Sequence, residues 1–168
     1  MKTNDVRYFI NTGTYWQNFN NETYNPVSLY AACKQAFYDL ARFYAEKRYL
    51  KIITLKIFDT YGPNDPRKKI FYHINHAITN NLDHLDMTPG EQLINIVYID
   101  DVIEAYKVSI NRIKKNRDEN FEEFDIRNSS DIRLKDLVNL YLNYANSSQQ
   151  LSMNTIVHKD LLKVIVLL

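Results

Sequence analysis

The chain has 168 residues, 21 basic and 20 acidic side chains and a formal charge of +1, so no charge excess points to nucleic acid or an anionic membrane surface. That length suits one domain with a real core, and a single cysteine excludes both an internal disulfide framework and a cysteine-based metal site. The three glycines, Gly13, Gly62 and Gly90, are too isolated to build a Gly-x-Gly-x-x-Gly or Gly-x-x-x-x-Gly-Lys-Ser/Thr phosphate loop.

Met1-Lys2-Thr3-Asn4-Asp5 leads into a short apolar run rather than the long one of a signal peptide, which makes the cytoplasm the expected location. Val6 to Asn11 is β-branched and aromatic and reads as a strand; Thr12 to Asn25 reads as a polar loop. Pro26 opens a helix to about Arg48, with Leu29, Cys33, Phe37, Leu40 and Tyr44 at core spacing. Cys33 reads as a small buried helix residue rather than a reactive thiol. Tyr30 and Lys34 lie four apart in this helix and therefore share one face. A positive charge beside a phenol favours its ionised form, which lets a tyrosine give and take protons near neutrality.

Lys51 to Phe58 is the next strand, and Tyr61-Gly62-Pro63-Asn64-Asp65-Pro66 is a breaker cluster, hence a loop. Arg67-Lys68-Lys69 reads as a solvated charge cluster, with a diphosphate contact as the alternative. Lys69 to Thr79 is helical and carries His73 and His76, read as ordinary surface or groove histidines; His84 and His158 complete a scattered set with no metal-ligand spacing. Asn80 to Glu91 is a connector with a short strand near Leu85, and Leu93 to Ile99 is a strand. Asp100-Asp101 caps a helix from Val102 to about Lys114.

A charged turn from Lys114 to Glu123 leads to a short strand, Phe124-Asp125-Ile126. Ser130 or Asp131 starts a further helix with Leu134, Leu137, Val138 and Tyr141 at core spacing. Asn146 to Ser152 reads as a polar linker and the last residues as one short strand or helix. Val164 to Leu168 is far shorter than the ~20 residues of a transmembrane helix. Strands alternating with helices argue for α/β architecture.

Four blocks stand in order. They are Phe9-Ile10-Asn11-Thr12-Gly13-Thr14 with Tyr30-x-x-x-Lys34; Leu55-Lys56-Ile57-Phe58-Asp59-Thr60-Tyr61-Gly62-Pro63; Gly90-Glu91-Gln92; and Val97-Tyr98-Ile99-Asp100-Asp101-Val102. Together they resemble the extended short-chain dehydrogenase/reductases, the NAD-dependent epimerase/dehydratase enzymes acting on nucleotide sugars, over about residues 6 to 142. The short loop between Thr12 and Tyr30 looks most like the CDP-abequose synthase-like 4-ketoreductases.

The resemblance implies a single α/β domain over residues 1–168, with residues 146–168 as a divergent tail. Its fold would be a partial Rossmann-like parallel sheet, the C-terminal half of the extended fold, with a small, less regular substrate-side region. It implies an NAD(P)-dependent nucleotide-sugar 4-ketoreductase or epimerase, with NAD or NADP as cofactor and a nucleotide-diphosphate sugar as substrate. Thr12 matches the catalytic Ser/Thr, Tyr30 the acid/base, and Lys34 the lysine that holds the nicotinamide ribose and favours the phenolate. Thr14 and Asp59 would lie at the substrate.

Three departures accompany the match. Gly13-Thr14 stands where dehydratases carry Asp-Glu, which argues against dehydration. Ile94-Asn95 stands where many members have Arg-Asp, so a phosphate-binding arginine is missing. The family's Gly-rich cofactor half is not found, so the chain is expected to be truncated and to act as a homodimer or with a missing N-terminal fragment. The alternative is a non-catalytic remnant, or a complementing subunit unable to hold NAD(P) alone.

Overall fold

The computed structural model describes residues 6–82, 84–116, 118–147 and 164–166. The expected linker residues 148–152, most of the divergent tail, and His158 lie outside this set. In chain order the elements are β1 (Tyr8–Thr14), two 3₁₀ turns (Tyr15–Gln17 and Phe19–Asn21), α1 (Leu29–Glu46), β2 (Lys51–Ile57), β3 (Asp59–Tyr61) and α2 (Ile70–Thr79). There follow β4 (Leu93–Ile94), β5 (Ile96–Tyr98), α3 (Ile99–Lys115), β6 (Phe121–Asn128), β7 (Ile132–Arg133), α4 (Leu134–Ser147) and β8 (Val164–Val166).

The main sheet has the order β1-β2-β6-β8. Its first three strands are parallel, with Thr12 opposite Leu55 and Leu55 opposite Phe124. β8 adds antiparallel to β6. Side chains alternate across a strand, so β2 feeds two cores. Ile52 packs with Ala41 and Ala45 of α1. Ile53 and Leu55 point the other way, to Val102, Ala105 and Ile113 of α3. Cover on both faces is what a parallel sheet requires, and it explains why apolar residues of β2 point to both sides, Ile52 to one and Ile53 and Leu55 to the other. A smaller region joins β3 to β5 in parallel and β4 to β7 antiparallel. It has its own core of Tyr61, Ile96, Tyr98 and Leu137, with Phe71, Ile94 and Ile132 packed against it. The expected α/β architecture, with a parallel sheet and a smaller irregular region, is therefore present. No helix among the described residues is long and apolar enough to cross a membrane.

Several boundaries differ from expectation, each for a local reason. β1 runs on to Thr14 because Asn11 and Gly13 still face the interior: Asn11 Nδ2 donates to Thr54 Oγ1 (3.3 Å), and a Cβ on Gly13 would lie 2.9 Å from Gln17 Oε1. α1 starts after Ser28, whose Oγ accepts from the Ala31 N–H (3.2 Å), not at Pro26. Tyr98 is the N-cap of α3, so Asp100 and Asp101 sit in its first turn, where the helix dipole favours carboxylates, rather than at the cap. Leu85 lies in no strand, β6 is longer than the expected three residues, and α4 follows β7.

The larger correction concerns the face of α1. Its buried positions are Ala31, Gln35, Ala41 and Ala45, whereas Leu29 (81% exposed), Phe37 and Leu40 (59%) face outward and Cys33 is exposed. Small alanines let the helix lie close to the sheet, and periodicity alone cannot say which of two apolar stripes faces in.

The expected strand 93–99 divides at Asn95, which is buried. Its side chain accepts from the Asn128 N–H (2.7 Å) and donates to Asn128 O (3.1 Å), Ser130 O (3.4 Å) and Asp131 Oδ1 (2.8 Å). This residue stitches β5 to the turn after β6. Asn95→Leu would strip the buried Asn128 N–H and leave it unsatisfied, and is expected to lower stability by about 2–3 kcal/mol, measurable by urea unfolding; a change under about 0.5 kcal/mol would contradict this role.

Candidate active site

The parallel register carries Thr12 to the C-terminal end of β1, where the first turns of α1 pass it. Lys34 Nζ donates to the Thr12 carbonyl oxygen at 2.9 Å and lies 5.8 Å from the centre of the Tyr30 ring. Tyr30 is 58% exposed. Thr12 thus joins Tyr30 and Lys34 in one cluster: an open phenol, an ammonium and a strand-end hydroxyl. A fourth member is Tyr106 on α3, whose hydroxyl lies 2.5 Å from Thr12 Oγ1. Sequence reasoning missed it, because one tyrosine in an amphipathic helix carries no signal of its own.

Thr14, expected at the substrate, stands at the end of β1, where the turn leaves it. Its hydroxyl accepts from the Trp16 N–H (3.4 Å) and its own N–H donates to Gln17 Oε1 (2.8 Å), closing the turn that follows β1. That turn carries the chain straight into a second neighbourhood. The Tyr15 ring stacks on Phe58 (4.5 Å) and its hydroxyl donates to Asp59 Oδ2 (3.0 Å). Burial, with the Asp59 carboxylate beside it, pushes the Tyr15 phenol up to about 12, so it remains a protonated donor at neutral pH. Trp16, next in sequence, lines a cleft of about 640 Å³. Asp59, Arg67, Lys69, Tyr72, Ile94 and Tyr141 are also on its wall.

The cleft is polar at one end and matched in charge. Lys69 Nζ pairs with Asp59 Oδ1 at 2.8 Å. Arg67 binds Asp65 through Nη2 (2.6 Å) and Nε (2.7 Å) and also donates to Thr60 O (3.1 Å) and Oγ1 (2.9 Å). Of the basic cluster expected to be solvated, Arg67 and Lys69 face the cleft, while Lys68 sits over the Tyr72 ring at 5.8 Å. The missing arginine has a structural counterpart: Ile94 lines the wall, and Asn95 turns into the fold.

A dinucleotide would meet this surface unevenly. Lys34 and the exposed Tyr30 suit the nicotinamide-ribose end. A pyrophosphate cradle needs free glycine backbone. A Cβ on Gly62 would lie 2.5 Å from Ile99 Cγ2, and one on Gly90, at φ +74°, would lie 2.9 Å from the Lys135 backbone nitrogen. With Gly13 packed on Gln17, all three glycines serve close packing or a turn, so the described residues fit only one end of the cofactor.

Comparison with known proteins adds to this geometry. The model of the NAD dependent epimerase/dehydratase family matches residues 3–133. CDP-abequose synthase of Yersinia pseudotuberculosis is 39% identical over 99 residues, covering 58% of this chain and 34% of that protein. CDP-abequose synthase of Salmonella typhimurium is 25% identical over 134 residues, covering 77% of this chain and 42% of that protein. UDP-N-acetylglucosamine 4-epimerase from Methanobrevibacter ruminantium M1 superposes with a TM-score of 0.70 at 21% identity, over 85% of this chain and 48% of its own. UDP-glucuronic acid 4-epimerase from Bacillus cereus, solved with UDP-glucuronic acid and NAD, gives 0.71 at 18% identity, over 86% and 48%. At such identities the structural likeness establishes the fold, the expected Rossmann-like sheet. The chain spans between 34% and 52% of the length of the curated relatives it matches.

The Arg67 guanidinium, bonded to Asp65, holds that carboxyl down to about 2. A depressed carboxyl contributes stability above its ordinary pKa of about 3.8 and loses it as pH falls toward 2. Carboxyl NMR of Asp65 is expected to give a midpoint near 2 that rises toward 3.8 in Arg67→Met; an ordinary midpoint in the unmodified chain would refute the pairing.

Proposed function

Because this chain belongs to the NAD dependent epimerase/dehydratase family, we propose that it supplies the proton-transfer and substrate-binding groups of an NAD(P)-dependent oxidoreduction at a sugar carbon of a nucleotide sugar. The reaction is a 4-keto reduction or an epimerisation. The observation that carries this reading is the bond from Lys34 to the Thr12 carbonyl, which gathers Thr12, Lys34 and the open Tyr30 phenol at one strand end.

In the reducing direction Tyr30 gives its proton to the sugar oxygen as the carbonyl becomes an alcohol, and in the reverse direction it takes that proton back. The Lys34 ammonium, near the ring, stabilises the phenolate left behind. Thr12 donates a hydrogen bond to the same sugar oxygen and fixes its position. The nicotinamide, when bound, gives or accepts the hydride. Gly13-Thr14 after Thr12 leaves no carboxylates there for dehydration, which supports reduction or epimerisation.

The nucleotide sugar occupies the cleft reached through Tyr15 and Trp16. Lys69 and Arg67 meet the diphosphate, taking over the work of the arginine that Ile94-Asn95 does not provide. Their carboxylate partners hold them in the cleft at rest, so a diphosphate must displace Asp59 or Asp65 to bind. The relatives' names motivate a CDP-sugar as first choice of ligand.

A second reading is favoured by the engaged glycines: these residues do not hold NAD(P) alone and rely on a glycine-rich segment outside them for the pyrophosphate. The outer edge of β1, unpaired among the described residues, offers that segment a place to add in parallel.

Three measurements test these readings. With the cofactor-binding segment supplied, Tyr30→Phe is expected to lower turnover by about 10²–10⁴-fold without changing the fold, as judged by circular dichroism; undiminished turnover would sink the acid/base role. Lys69→Met is expected to weaken CDP binding by about ten-fold in calorimetry, and equal affinity would remove Lys69 from the diphosphate site. Titration with NADH or NADPH is expected to show weak binding or none for this chain, and a tight one-to-one complex would overturn the second reading.

A further inference from the structure

Thr12 is gripped from both faces of the sheet. From one side Lys34 of α1 holds its carbonyl oxygen at 2.9 Å. From the other, Tyr106 of α3 brings its hydroxyl to 2.5 Å from Thr12 Oγ1. The Tyr106 ring itself is half-buried and packed against the central cluster that contains Ile53, Leu55, Val102 and Ala105. Thr12, by contrast, is exposed at the strand end. The phenol therefore reaches the site from a rigid platform, and the threonine hydroxyl does not have to find its own orientation.

A threonine hydroxyl has one proton and two lone pairs, and the proton rotates to suit its surroundings. A phenol is a stronger acid than an alkanol, so in a phenol–alkanol pair the phenol is the better donor. With Tyr106 donating, one Thr12 lone pair is occupied and the Thr12 proton is left to point elsewhere. A hydroxyl that accepts one hydrogen bond also becomes a better donor in the next. We propose that Tyr106 is a positioning residue: its hydroxyl donates to Thr12 Oγ1 and so aims the Thr12 proton at the sugar oxygen that undergoes redox change. The chain of donors runs from Tyr106 through Thr12 to the substrate, with no net transfer of a proton along it. The inference rests on reading Thr12 as the hydroxyl that meets that oxygen.

The test uses this chain and two probes, CDP-glucose and CDP-4-deoxyglucose, with affinities from calorimetry. The ratio of the two affinities isolates the hydrogen bond to the 4-oxygen. Tyr106→Phe keeps the packed ring and removes only the hydroxyl. It is expected to reduce the preference for CDP-glucose by about three- to ten-fold. Thr12→Val is expected to reduce the preference at least as far, to what the Tyr30 hydroxyl alone supplies, and adding Tyr106→Phe to it is expected to change the ratio no further. A merely structural Tyr106 would weaken both ligands alike and leave the ratio intact, which overturns the proposal while Thr12 keeps its role. Equal affinities in the unmodified chain, an unchanged ratio in Thr12→Val, or no binding of either probe would remove the reading of Thr12 or of the ligand, and the inference with it.

Discussion

The bond from the Lys34 ammonium to the Thr12 carbonyl is the contact on which the rest of the site depends. It joins a helix on one face of the sheet to the end of the strand beneath it. Parallel pairing of β1, β2 and β6 aligns the strand ends, and the Ser28 cap starts α1 close enough for Lys34 to reach back. Without that register the phenol of Tyr30 would be one more exposed tyrosine. With it, a proton donor, a cation and a hydroxyl share one open strand end. Open α/β sheets characteristically bind ligands beyond the carboxyl ends of their strands, and the Thr12 cluster lies at that end of β1.

From that end the chain passes without interruption into the cleft. Thr14 closes the turn, Tyr15 bonds Asp59, and Trp16 becomes part of the wall. The Thr12 cluster and the cleft are thereby joined through consecutive residues. The cleft's cations are not idle charges, since each is held by a carboxylate: Lys69 by Asp59 and Arg67 by Asp65. Such pairs at a partly exposed wall are individually weak.

Much of this was legible in the sequence. Tyr30 and Lys34 share a helix face by spacing alone, and the order of the blocks at Thr12, Leu55 and Val97 marked the parallel architecture. The misread face of α1 shows where pattern fails. Leu29, Phe37 and Leu40 are the more hydrophobic stripe, yet Ala31, Ala41 and Ala45 are the buried ones, with Ala41 and Ala45 packed on Ile52 of β2. Close approach of helix to sheet selected small side chains over greasy ones. Asn95 was passed over for a related reason: in the pair Ile94-Asn95 only the arginine missing at Ile94 drew notice. In the fold it is a buried four-bond joint between β5 and the turn after β6.

By itself the sequence determined the family, the α/β alternation and the local pairing of Tyr30 with Lys34, because these follow from spacing along one helix and from short blocks in fixed order. Only the tertiary structure decided that Tyr106, 94 residues from Thr12, meets it from the opposite face of the sheet. It also decided that Arg67 and Lys69, but not Lys68, line the cleft, and that the three glycines are consumed by packing and a turn. Those outcomes depend on which faces pack against which. Side chains remote in sequence become neighbours only when the sheet and helices close on a common core.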